Sequence, residues 1–171
     1  MALDPLRLLQ DLVRFPSLSP RDAGCQDYLA TVLTSLGFQC TQLDHGPVSN
    51  LYAQWGTKAP LLLFAGHTDV VPPGDEGAWH TPPFELTEKN NCLYGRGVAD
   101  MKGALVAMLL ACETLVPLER SGSLGFLITS GEEGDDFLHG TPHVMAHLKQ
   151  QGISPHYCIV GEPSSQKRLG D

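Results

Sequence analysis

Apolar residues recur at two different spacings along this chain, and the alternation between them predicts an α/β protein. Over residues 5–14, Leu6, Leu9, Leu12 and Val13 fall at helical intervals behind Asp4, whose carboxylate can cap the helix. Phe15-Pro16-Ser17-Leu18-Ser19-Pro20 breaks that helix. A second helix is predicted over 25–36, with Tyr28, Leu29, Val32, Leu33 and Leu36 inward and Gly37 closing it. Residues 38–43 and 50–55 read as strands joined by the turn Asp44-His45-Gly46-Pro47. Residues 61–65 form an unbroken apolar strand, as at the centre of a sheet covered on both faces. The Pro- and Gly-rich stretch 71–91 predicts an irregular loop, and 91–94 a short strand. Residues 101–115 are almost wholly apolar and predict a buried helix; 124–129 predict another central strand. A last helix is expected over 141–151, with Thr141 as cap and Pro142 in its first turn, followed by a strand over 157–160. No repeat, low-complexity segment or linker intervenes. The expectation is one α/β domain over 1–171, a mostly parallel or mixed sheet flanked by helices.

The same pattern organises the polar residues. The apolar run 61–65 ends in Gly66-His67-Thr68-Asp69, and Tyr94-Gly95-Arg96-Gly97 leads to Asp100-Met101-Lys102-Gly103. The run 124–128 leads to Glu132-Glu133, and 157–160 to Gly161-Glu162-Pro163. Ligands of α/β folds bind beyond the carboxyl ends of parallel strands. Strand-end placement would gather His67, Asp100, Glu133 and Glu162, a set of one imidazole and several carboxylates suited to zinc or a similar divalent ion.

Each motif also has a plainer reading. His-x-Asp after a strand is commonly only a loop, Asp100 could cap a helix, Glu132-Glu133 could be solvated surface, and Gly-Glu-Pro a turn. Four such motifs in order, each closing a predicted strand, favour the shared site. Zinc hydrolysis needs a ligand set, a carboxylate able to bridge two ions, and a base. Asp100 is the candidate bridge, with His67 and Glu162 on one ion and Glu133 on the other. Asp69, two residues from His67, can accept the second imidazole N–H. Glu132 then serves as general base toward the attacking water and passes the proton to the leaving amine.

Composition narrows the function. Nineteen acidic against eleven basic residues give a net charge of -8, and no basic patch is present to neutralise phosphates, which argues against nucleic acid. No apolar run reaches the ~18–20 residues of a membrane span. Met1-Ala2-Leu3-Asp4-Pro5 has no basic start before an apolar stretch, and the five cysteines are scattered with no Cys-x-x-Cys, so a reduced cytoplasmic protein is expected. His139, His143 and His147 are spaced by four, but no Glu follows in the pattern of a zinc-protease helix, and a surface helix is the expectation. Trp79-His80-Thr81-Pro82-Pro83-Phe84 is either a rigid loop near a substrate or simple loop packing.

The segments Gly66 to Pro72, Gly95 to Gly103, Ser130 to Glu133 and Gly161 to Ser165 resemble the motifs of the M20 family of di-zinc peptidases and deacylases. Within it, the segments Arg14 to Pro20 and Trp79 to Phe84 resemble the desuccinylases, and the similarity runs in register over essentially all 171 residues. The resemblance implies a zinc-peptidase-like catalytic domain acting on a small-molecule N-succinyl amino acid. The implied reaction is hydrolysis of N-succinyl-LL-2,6-diaminopimelate to succinate and LL-2,6-diaminopimelate in lysine and cell-wall precursor biosynthesis. It implies two Zn²⁺ per full-length subunit, with Co²⁺ as an alternative, and a homodimer. It assigns the roles given above to His67, Asp69, Asp100, Glu132, Glu133 and Glu162, and it implies a cis peptide after Asp100.

Members of the family continue into a lid domain that mediates dimerisation and later supply a histidine to the second metal, whereas no histidine follows His156 here. The chain is therefore expected to be the N-terminal part of a longer protein, truncated before the lid. It should hold one tight zinc or fewer, with little or no activity alone. Gly131 stands where these desuccinylases often carry an acidic residue, with little effect expected. Two other readings are another M20 amidohydrolase, such as an acetylornithine deacetylase or aminoacylase, and a non-catalytic metal-binding domain. Glu132 speaks against the latter, since a pure binding site needs no base.

Overall fold

The computed structural model describes residues 2–118 and 121–164, and the pattern resolves there into helices α1 (Pro5–Val13), α2 (Cys25–Ser35), α3 (Gly103–Leu115) and α4 (Thr141–Gln150). The strands are β1 (Gln39–Gln42), β2 (Asn50–Trp55), β3 (Leu61–His67), β4 (Thr87–Lys89), β5 (Cys92–Tyr94), β6 (Ser123–Thr129) and β7 (Tyr157–Val160). Asp4 caps α1 as expected, accepting from the amides of Leu6 and Arg7 at 3.0 and 3.2 Å. The buried stripe of α1 is Leu8, Leu9, Leu12 and Val13, while Leu6 is exposed. Leucines at 6, 8, 9 and 12 allow two stripes, and packing on α3 selects one. Gly140, not Thr141, precedes the first turn of α4, with Pro142 inside it.

Five strands form one sheet in the order β1-β2-β6-β3-β7. β1 and β2, and β2 and β6, pair antiparallel; β6 and β3, and β3 and β7, pair parallel. The sheet is thus mixed, with its parallel half around β3. Both faces are covered at the central strands β3 and β6, which is why these read as continuous apolar runs. On one face Phe64, Leu124, Phe126 and Ile128 pack with Leu12, Leu29, Leu33, Leu105 and Leu109 of α1, α2 and α3. On the other, Tyr52, Leu63 and Leu127 pack against Val144 and Leu148 of α4. Among the described residues no helix is long and apolar enough to cross a membrane.

The stretch expected to be irregular holds β4, paired antiparallel to β5, the short strand expected over 91–94. Asn90 and Asn91 join them with φ of 55° and 58°. Positive φ at both central residues is the geometry of the tightest hairpin turns, and asparagine tolerates it. Between β5 and α3 the chain makes a wide turn over Val98–Lys102, in which Asp100 and Met101 leave helical torsion angles. The peptide between them is cis, as the family resemblance implied. Lys102 closes the turn fully buried, its Nζ donating to the carbonyls of Leu12 and Phe15 at 2.9 Å each.

Candidate functional site

Parallel pairing aligns the carboxyl ends of β3, β6 and β7. His67 ends β3 opposite Thr129 of β6, and Val160 of β7 lies opposite Ala65. Glu132, Glu133 and Glu162 therefore leave the sheet on the side where His67 does. Asp100 arrives differently, from the wide turn before α3, because β5 belongs to the separate hairpin.

His67 is fully buried, and its two ring nitrogens have separate tasks. Nδ1 lies 2.8 Å from the backbone carbonyl oxygen of Asp69 and 3.5 Å from its carboxylate. A carbonyl only accepts, so Nδ1 carries the proton, and in the neutral ring Nε2 bears a lone pair. Nε2 faces Asp100 Oδ1 at 3.1 Å, Glu162 Oε1 at 3.2 Å and Glu132 Oε2 at 3.9 Å. Lone pairs pointed at one another at these distances repel unless a cation stands among them. The ring and the carboxylates register that frustration together. Burial pulls the His67 pKa down, but the charges of Asp69, Glu162 and Glu132 outweigh it and raise it. Glu133 and Glu162 are both pushed up, first by burial and then by neighbouring charge, notably that of Asp100. The donor set is that of zinc or a similar divalent ion, so the residues fit a metal.

The donors fall into two overlapping groups, His67 with Asp100 and Glu133, and His67 with Glu132 and Glu162, with ligand atoms within 4.8 Å of one another in each. All five acidic and imidazole candidates thus converge. The grouping nonetheless differs from the allocation read from sequence, since Glu132 stands among the donors beside Glu162.

Asp69 is fully buried, and its carboxylate accepts from the amides of Glu132 at 3.3 Å and Glu133 at 3.0 Å. It thereby fixes the turn after β6, while its own carbonyl orients His67. Behind it lies a network that sequence reasoning missed. Ser17 Oγ donates to the Thr68 carbonyl at 2.7 Å, and Thr68 Oγ1 donates to Asp22 Oδ1 at 2.7 Å. Asp22 also accepts from the Gln26 amide at 2.9 Å. One signal was legible: Gln26 lies on the helical stripe of Leu29 and Leu33, a polar residue in an apolar row.

Two glycines make room for the centre. A methyl on Gly66 would meet Met101 Sδ at 2.8 Å, and Met101 Sδ itself accepts from the His67 amide at 3.3 Å. A Cβ at Gly131 would lie 2.6 and 2.9 Å from the methyls of Val48, which is buried. Val48 thus fills the space that a side chain at 131 would take. Gly131→Asp is expected to destabilise the chain by about 1–3 kcal/mol, read as a lower urea midpoint, and Val48→Ala in the same background should recover part of the loss. Beside Glu132 opens a cleft of about 360 Å³ lined by Thr129, Gly131, Phe137, Thr141 and Pro142. The Trp79 loop is held by Trp79 Nε1 donating to the Pro73 carbonyl at 2.9 Å, with the Arg96 guanidinium over the indole.

The sequence profile of Peptidase family M20/M25/M40 matches residues 63–170, which include every candidate ligand. The chain belongs to this family. It is 59% identical over 98% of its length to the succinyl-diaminopimelate desuccinylase of Legionella pneumophila (strain Corby). It is 51% identical, over the same share, to that of Coxiella burnetii (strain Dugway 5J108-111). In both cases the chain spans 45% of the relative's length. The fold of this M20 chain is shared with human carnosine dipeptidase 1, at a TM-score of 0.82 and 24% identity over 94% of the chain and 38% of that protein. An M20 metallo-carboxypeptidase of Sulfolobus solfataricus gives 0.79 and 22% over 95% and 38%.

Proposed function

We propose that this chain carries the greater part of the metal centre of a metal-dependent amide hydrolase that removes the succinyl group from N-succinyl-LL-2,6-diaminopimelate. The observation that carries the reading is the convergence of Asp100, Glu132 and Glu162 on Nε2 of a buried histidine, with Glu133 alongside. The names of its relatives, at 51–59% identity, supply the acyl group and the amine.

In this reading His67, Asp100, Glu133 and Glu162 hold the metal, zinc in the first instance. When bound, such an ion supplies Lewis-acid polarisation of the scissile carbonyl and lowers the pKa of water toward neutrality. The Asp69 carbonyl keeps the His67 proton on Nδ1, so that Nε2 is the nitrogen turned to the metal. The Asp69 carboxylate holds the Glu132-Glu133 turn through its two amides. Glu132, whose side chain is half exposed at the mouth of the cleft, accepts a proton from the attacking water. The hydroxyl adds to the succinyl carbonyl carbon, the C–N bond breaks, and Glu132 returns the proton to the leaving amine.

Because the chain spans less than half of its relatives, turnover is assigned to the complete gene product. The 171-residue chain alone is expected to bind metal and turn over little or not at all. After stripping and zinc reloading, it should retain about one tight zinc. Asp100→Ala should abolish that retention, as read by elemental analysis. Retention of zinc by the folded variant would remove Asp100 from the ligand set.

The substrate is tested with the zinc-loaded complete gene product on succinylated and acetylated amino-acid amides. Preferred hydrolysis of the succinyl compound is the expected result. Preference for the acetyl compound would point to a deacetylase of the same family. Tight zinc with no turnover of either would favour the non-catalytic reading.

A further inference from the structure

The turn between β1 and β2 and the short helical turn before α4 bring two imidazoles together outside the donors around His67. His45 Nδ1 lies 2.7 Å from His139 Nδ1, with ring centroids 4.7 Å apart. His143, from the first turns of α4, stacks on His45 at 4.1 Å with the planes only 8° apart. The regular spacing of His139, His143 and His147 suggested a helical surface face, with His139 ahead of the helix expected over 141–151; the structure places it there and adds His45 from a different segment.

Anchored backbone, rather than chance drift of surface side chains, makes this contact. The His45 amide and carbonyl both bond to Val48, at 3.0 and 3.1 Å, and close the turn. The His139 carbonyl accepts from Nδ2 of Asn50 at 2.9 Å, and Asn50 is fully buried at the start of β2. Gly46, at a φ of 57°, leaves the space that the His139 ring occupies; a Cβ there would lie 3.4 Å from its Nδ1. Two rigid segments thus aim two ring nitrogens at one point near solvent.

Two Nδ1 atoms at hydrogen-bond distance require that one ring donates and the other accepts, so at least one imidazole is neutral. Burial and the neighbouring charges of His45, His147 and His139 hold His143 below the usual histidine value. Convergent neutral imidazoles with few competing oxygens suit borderline transition-metal ions. For both rings to ligate, the donating ring moves its proton from Nδ1 to Nε2, and no proton leaves the protein. The nitrogens then separate from 2.7 Å to roughly 3.3 Å, the span of two ligands on a tetrahedral ion.

We propose that His45 and His139 form a second, surface metal site that chelates a divalent ion of the Zn²⁺, Ni²⁺ and Cu²⁺ class. Water completes its shell, and His143 backs the His45 ring. This site is independent of the His67 centre and differs from it in kind, since imidazole nitrogen replaces carboxylate oxygen.

Ni²⁺ is the probe. Equilibrium dialysis of the stripped 171-residue chain is compared with His45→Gln, His139→Gln and, as a control, His80→Gln in the Trp79 loop. Each replacement of the pair should remove one micromolar Ni²⁺ from the stoichiometry, and the control should match the unmodified chain. In parallel, the unmodified chain is first given one equivalent of Zn²⁺ to fill the His67 centre, then substoichiometric Ni²⁺, and the imidazole proton resonances are followed. The signals of His45 and His139 should broaden selectively. Unchanged stoichiometry in both variants, or uptake only at millimolar Ni²⁺, overturns the proposal. Should a variant fail to fold, the resonances decide alone, and sharp His45 and His139 signals overturn it.

Discussion

Glu132→Gln in the complete gene product is expected to lower kcat by roughly 10²–10⁴-fold while its zinc content stays unchanged. Glutamine keeps the length and shape of the side chain, and the backbone amide of residue 132 can still donate to Asp69. What it loses is the ability to take a proton from water and return it to the amine. The paired measurement matters because Glu132 Oε2 lies 3.9 Å from His67 Nε2 and stands in a donor group with Glu162. Loss of rate with zinc retained makes Glu132 the base. Loss of zinc in step with rate makes it a ligand, and the allocation of roles between Glu132 and Glu133 would have to be exchanged.

Lys102→Ala is expected to cost about 3–5 kcal/mol of stability, read from the urea midpoint of the 171-residue chain. Lys102 is among the largest fully buried side chains of the described residues. Truncation leaves a cavity along the vanished stem and withdraws the donor from the carbonyls of Leu12 and Phe15. Burial also holds the ammonium below its usual lysine pKa, so the charge itself is costly in this place. Lys102→Met keeps most of the volume and discards that cost, and should recover the larger part of the loss. If methionine were as damaging as alanine, the two hydrogen bonds, and not the packing, would be what matters. Lys102 also ties the Asp100 turn to the end of α1, so zinc affinity should fall in the folded Ala variant.

Much of this was legible in the chain because β3 and β6 are buried on both faces and reveal themselves as apolar runs. The candidate site residues follow where such runs stop, and His67, Glu132, Glu133 and Glu162 lie at or just beyond the ends of β3, β6 and β7. Asp100 was found by its motif, though the strand before it belongs to another sheet, and the wide turn that delivers it has no local pattern to betray it. The strand order was hidden for a related reason: β6 enters between β2 and β3, a pairing decided by packing and not by neighbouring residues. The Asp69 carboxylate was expected on the imidazole; it stands 3.5 Å from Nδ1 and also bonds to amides more than sixty positions away, which no periodicity reports. Where two answers were locally equal, as for Leu6 against Leu8, the tertiary contact chose.

The insertion of β6 also has a temporal side. β2 and β3 are consecutive in the chain yet never touch as partners, so the middle of the sheet must wait for residues 123–129 to be synthesised. Until then only the β1–β2 and β4–β5 hairpins can close their ladders, and His67 has no parallel strand beside it. Glu162 joins later still, after β7 pairs with β3. Closing loops of this length is slow compared with local helix or hairpin formation. On a ribosome the histidine would emerge well before its carboxylates could be gathered round it, so the protein cannot hold an ion tightly until most of its sheet exists.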